Sequence, residues 1–162
     1  ESGFPPEQLE LEMTERAMVR DPERTSYAIK RLRSHGVRIA IDDFGVGYSS
    51  YQTLRVFDVD RVKIDSEFVQ GLLASPRDGL IVSSLIRLAH DLDLDVVAEG
   101  VESTRVWEAL QRLGCDVAQG FGIAVPMDYV GVRHWLKKWN GLAITETAPV
   151  LPKRVRFATL DR

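Results

Sequence analysis

Short aliphatic runs alternate along this chain with longer stretches in which apolar residues recur every three or four positions. Leu9 to Met13, Val37 to Ile41, Arg61 to Ile64, Asp95 to Ala98 and Val117-Ala118 read as five strands. In the first, alternation puts Glu10 and Glu12 on one side and Leu9, Leu11 and Met13 on the other. Between the strands the helical period returns. Asp21-Pro22 marks a helix start, N-cap then first-turn proline, and that helix runs to about His35, with Gly36 as its stop. Ser49-Ser50 opens a helix through about Phe57. A longer one covers about Gly79 to Leu92, with Leu80, Leu85, Leu88 and Leu92 on one side. Ser103 caps a helix carrying Val106, Trp107, Leu110 and Leu113, which Gly114 closes, and Tyr129 to Trp139 is the last.

Continuous apolar strands separated by helices predict an α/β fold with a parallel sheet covered by helices. Two architectures fit: an open five-stranded sheet, or the later part of a (β/α) barrel. Five βα units do not close an eight-stranded barrel, which takes about 250 residues. The first eight residues, ESGFPPEQ, read as a loop entering a strand, as in a piece cut from something longer. Residues 1–139 read as one unit. Periodicity fades over 140–162, where two prolines and Lys153, Arg154 and Arg156 suggest a tail or linker.

In either architecture, groups at the C-terminal ends of the strands gather on one rim. Here that rim is acidic: Glu12, Asp42, Asp43, Asp65, Glu99 and Glu102, with Lys63 and Gln119 among them. Buried carboxylates repel one another unless cations sit between them, which points to metal-assisted chemistry on an anionic substrate. Each residue also has a plainer reading. Asp42-Asp43 can be a helix cap and a solvated acid. Glu12 can lie on a half-exposed strand. Lys63 can be a structural ion pair with Asp65 or Asp42. Glu102 can cap the helix that follows it. Asp42 and Asp43 point to opposite faces of a regular strand, so both reach one site only if the backbone turns, and Phe44-Gly45 offers that turn.

Composition narrows the partners. The 162 residues are 44% hydrophobic and 28% charged, with a formal net charge of -3, which argues against coating DNA or RNA polymers but not against a small nucleotide held through cations. The single cysteine, Cys115, excludes an intrachain disulfide and reads as core packing. His35, His90 and His134 fall in helical stretches without zinc spacing. No apolar run approaches the roughly 20 residues of a membrane span, and no signal peptide is visible, so a cytoplasmic location is expected, with tethering of a longer parent left open.

Taken in order, LELEMTE, DDFGVGYSS, VKID, AEGVE and QGFGIAVP resemble the EAL family of bacterial cyclic di-GMP phosphodiesterases, over roughly Leu9 to Pro126. The resemblance implies a TIM-like barrel with one antiparallel strand, of which this chain carries about five βα units. It implies hydrolysis of cyclic di-GMP to pGpG with two Mg²⁺ or Mn²⁺ ions, or else a catalytically inactive receptor or dimerising module of the same build. By motif, Glu12, Asp42, Asp43 and Glu99 look like metal ligands, and Lys63 and Glu99 like the groups that position and deprotonate water. Asp65, Glu102 and Gln119 look like substrate or site supports. Phe44, Gly45, Gly47, Tyr48, Ser49 and Ser50 resemble the loop that couples a homodimer interface to the site. The family's relatives imply an upstream sensor or GGDEF-type domain. The Glu-Ala-Leu motif and the metal-binding asparagine that the family carries on early strands have no counterpart here, the triplet Glu108-Ala109-Leu110 falling instead in the helix capped by Ser103.

Overall fold

The structure is a computed structural model and describes residues 3–46 and 50–139. Five strands are present: β1 Glu10–Thr14, β2 Arg38–Phe44, β3 Arg61–Ile64, β4 Asp95–Ala98 and β5 Val117–Ala118. All pairings are parallel and the strands lie in chain order, β1-β2-β3-β4-β5. An open doubly wound sheet reverses its order at a switch point. None occurs here, and the unbroken order is that of a barrel wall. The antiparallel strand implied by the resemblance is not among these five.

Seven helices lie between and after the strands among the described residues: α1 Glu15–Met18, α2 Pro22–Arg33, α3 Ser50–Val56, α4 Ser66–Gly71, α5 Pro76–Asp91, α6 Thr104–Leu113 and α7 Tyr129–Lys138. Local chemistry sets their ends. Asp21 caps α2, its Oδ1 accepting from Arg24 N at 3.2 Å, and Gly36 then turns with φ 90°. Ser103 caps α6 and Gly114 ends it in the left-handed region, as the sequence predicts. Helices α1 and α4 were not expected; each is little more than a turn and leaves no periodic trace. Helix α5 begins earlier than predicted, at Pro76, with Ser75 accepting from Asp78 N. Its buried stripe is Val82, Leu85, Ile86 and Ala89, while Leu80 and Leu92 are exposed. His35 lies in the turn after α2 rather than in the helix.

The two sheet faces differ in kind. Ile39, Ile41, Val62, Ile64, Val96 and Ala98 join Met18, Ile29, Val69, Ile86 and Leu110 in one apolar core between sheet and helices. Ala40, Val97 and Val117 are also buried but stand outside that core, on the opposite face. That face carries ions. By strand alternation it presents Glu10 and Glu12 from β1, Arg38, Ala40 and Asp42 from β2, Arg61 and Lys63 from β3, and Asp95 from β4. Among the described residues, helices therefore cover one side of the sheet, not both. Cys115 packs as expected: its Sγ donates to Val117 O at 3.2 Å, and burial pushes the thiol up to about 12, far from a reactive thiolate. The 140–162 segment read as a tail lies outside the described residues.

Candidate metal centre

Lys63 stands at the centre of the ionic face. It sits in a strand whose four residues are all buried, and its side chain is 5% exposed. A buried ammonium needs anionic partners, and three are present. Nζ donates to Glu12 Oε2 at 2.6 Å and to Asp42 Oδ1 at 2.9 Å, and lies 2.7 Å from Glu99 Oε1. These come from β1, β2 and the residue after β4, so one lysine draws the tips of three strands together. Burial alone would lower its pKa; the hydrogen bonds to Glu12, Glu99 and Asp42 outweigh it and hold the ammonium above the ordinary lysine range. Asp65, weighed from sequence as a partner of Lys63, does something else. It caps α4, Oδ1 accepting from Glu67 N at 2.7 Å, and stands close enough to Asp43 for its charge to raise that carboxyl.

Asp43 reaches the site because the strand breaks its own rule. The β2–β3 register shifts between Ile41 and Phe44, and Asp43 takes φ 53°. Aspartate is among the few non-glycine residues that tolerate this region. The turn thus falls on Asp43 itself, one residue before the expected Phe44-Gly45, and it swings Asp43 to the same side as Asp42. Oxygens of Asp42, Asp43 and Glu99 all lie within 4.8 Å of one another. Oxygen donors in this number and spacing suit hard divalent cations such as Mg²⁺, Mn²⁺ or Ca²⁺. Glu12 joins the group through Lys63 rather than through that triad.

The crowding shows in the acidities. Glu99 is raised by burial; Lys63 lowers it, Asp42 and Glu12 raise it again, and the net shift is upward. Asp43 is raised by desolvation, then by the charges of Asp42 and Asp65. By linkage, a carboxyl raised in the folded state contributes most to stability below the ordinary carboxylate pKa, and that contribution falls as pH rises through the raised value. Glu99→Gln removes this dependence. Free of divalent ions, the variant is expected to gain stability relative to wild type as pH rises from about 4 to about 7. Urea unfolding at several pH values measures this, and a gap that narrows as pH rises would contradict it.

The remaining predicted residues fall around this core. Glu102 is exposed and accepts from Gln70 Nε2 at 3.5 Å, so it leans on α4, while Ser103 caps α6. Gln119 is exposed; its backbone extends the sheet, N to Ala98 O at 2.8 Å and O to Val101 N at 3.0 Å. Phe44 is buried and Gly45 turns with φ 102°. Gly47, Tyr48 and Ser49 lie outside the described residues, and of Ser50 the structure gives only its place at the start of α3. The sequence reading missed a second ion group, in which Arg61 Nη1 meets Glu10 Oε1 at 2.8 Å and Nη2 meets Asp95 Oδ2 at 3.2 Å. The signal was the period of two in β3, which puts Arg61 on the same face as Lys63.

Comparison with known proteins decides the family. The EAL domain family model matches residues 1–126. The chain belongs to the EAL domain family. Relatives and neighbours agree. The cyclic di-GMP phosphodiesterase RocR of Pseudomonas aeruginosa is 39% identical over 141 residues, 87% of this chain and 35% of its own length. The crystal structure of the EAL domain of Mycobacterium smegmatis DcpA superposes with a TM-score of 0.79 at 42% identity, covering 84% of this chain and 61% of that one. Klebsiella pneumoniae BlrP1, in a manganese and cyclic di-GMP complex, gives 0.73 at 39% identity, covering 76% and 32%. A calcium complex of the same protein also matches. This EAL chain spans 16% to 35% of the length of the curated relatives it matches.

Proposed function

We propose that this chain forms part of a cyclic di-GMP phosphodiesterase domain that hydrolyses its substrate to pGpG with two divalent ions, Mg²⁺ or Mn²⁺. The observation that carries the reading is the convergence of Asp42, Asp43 and Glu99 beside a buried lysine. Asp42, Asp43 and Glu99 hold the ions, with Glu12 alongside. Two divalent ions held there would neutralise the phosphodiester and lower the pKa of a water. The chain's own groups do the rest. Lys63, fixed by three carboxylates, presents a constant positive charge and orients that water. Glu99, 2.7 Å from Lys63 Nζ, is the group that would take the water's proton. Asp65 holds the start of α4 in place, and its charge adds to the negative potential at Asp43. Glu102, through Gln70, supports the adjoining loop, and Gln119 lines the substrate side.

In the family pattern two further ligands, a glutamate and an asparagine, come from earlier strands. Neither has a counterpart among these 162 residues, which on their own are expected to hydrolyse little. We extend the reading to a homodimer coupled through the Phe44–Ser50 loop and to an upstream sensor or GGDEF-type domain. No helix among the described residues is long and apolar enough to cross a membrane. A second reading is a non-catalytic EAL-like receptor that binds the nucleotide and signals to a partner. An assay for pGpG from cyclic di-GMP with Mg²⁺ or Mn²⁺ separates the two. A chain in which these residues are joined to strands carrying both further ligands should give metal-dependent product, and Glu99→Ala should lower it by at least about 100-fold. Nucleotide binding without product in that longer chain would favour the receptor.

A further inference from the structure

Beneath Lys63 the ionic face carries a second tier. Arg61 lies two residues earlier on β3, about 6.6 Å along the strand, and its side chain is 6% exposed. It repeats the geometry of Lys63 one step down. Nη1 crosses β2 to Glu10 on β1, and Nη2 reaches Asp95 on β4. The crossing passes over Ala40, which pairs with Glu12 on one side and Arg61 on the other, and whose methyl leaves room for the longer side chains.

Stability alone is a poor account of this tier. Buried ion pairs roughly break even against apolar replacements when every atom is satisfied. Here Arg61 Nε, Glu10 Oε2 and Arg38 Nε are buried without a hydrogen-bond partner among the described residues, the last two standing 3.9 Å apart. What the tier does supply is position. Its guanidinium joins β1 and β4, the same two strands that deliver Glu12 and Glu99 to Lys63, and a planar fork fixes both distance and direction.

We propose that Arg61 is a positioning residue for the metal centre: by tying Glu10 to Asp95 it sets the span between β1 and β4 across which the carboxylates above converge. The proposal rests on the reading of Asp42, Asp43 and Glu99 as a cation site. The test is Mn²⁺ titration of the 162-residue chain, free Mn²⁺ followed by electron paramagnetic resonance, for wild type, Arg61→Met, Arg61→Lys and Asp95→Asn. Melting curves confirm that each is folded at the temperature used. Arg61→Met should weaken Mn²⁺ binding by about 10-fold or more, the range for groups that orient ligands, and Asp95→Asn by at least about threefold. Arg61→Lys, which keeps the charge but not the fork, should fall between wild type and Arg61→Met. A folded Arg61→Met chain with wild-type affinity overturns the proposal, even if its melting point has dropped. If that variant does not fold, unchanged affinity in Asp95→Asn overturns it instead. Absence of saturable Mn²⁺ binding in wild type would bring down the cation site itself, and this proposal with it.

Discussion

Lys63→Met is expected to destabilise the chain by about 3 kcal/mol at neutral pH without divalent ions, the lower end of the range for removing one partner from a buried ion pair. Three carboxylates would then face one another without the ammonium that holds them. The lower end applies because solvent reaches them: the Glu12 side chain is 46% exposed, Asp42 26% and Glu99 19%. Since the lysine is held above its ordinary range, its contribution is fully present at neutral pH and fades only in strong alkali. The deficit should shrink in acid, where the carboxylates take up protons, and in millimolar Mn²⁺, which replaces the missing charge. Urea unfolding at neutral and acid pH, with and without Mn²⁺, measures all three. A loss below about 1 kcal/mol would mean that the pairing is an ordinary surface salt bridge.

Asp42→Ala should behave in the opposite way. Asp42 belongs to both groupings, bonding Lys63 and lying within the triad. Without it the ammonium keeps Glu12 and Glu99, and the charge that raises Asp43 and Glu99 is gone. Stability is therefore expected to change by less than about 1 kcal/mol. Mn²⁺ binding should fall by more than about 100-fold, beyond what loss of a supporting group costs, because a direct ligand is removed. Isothermal titration beside chemical denaturation reads both quantities. A large loss of stability with unchanged Mn²⁺ affinity would make Asp42 a structural partner of Lys63 and nothing more.

Much of the frame was legible because local signals were strong. β3 and β4 were placed to the residue, since RVKI and DVVA are short, rich in β-branched residues and bounded by turns, and α6 is delimited by Ser103 and Gly114. Helices α1 and α4 escaped because four and six residues are too few for a 3.6 period to register. The strand-tip rule put Glu12, Asp42, Asp43 and Glu99 on one rim, and the structure has them around Lys63 and one another. It could not say how they divide between a lysine and a cation site, because that depends on register. Arg61 bonding Glu10 and Lys63 bonding Glu12 both skip a strand, and no local pattern encodes a contact between strands that are not neighbours. The left-handed turn at Asp43 was hidden for a related reason: DDF reads as the end of a strand whether or not its ladder shifts.

The claim on which the rest stands is that these strand ends form a cation site. Crystals of the chain soaked in Mn²⁺ and measured at the manganese absorption edge test it most directly. The account predicts an anomalous peak at coordination distance from carboxylate oxygens of Asp42, Asp43 and Glu99, absent from Asp42→Ala crystals soaked identically. Manganese bound elsewhere on the chain, with none at that triad, would contradict it.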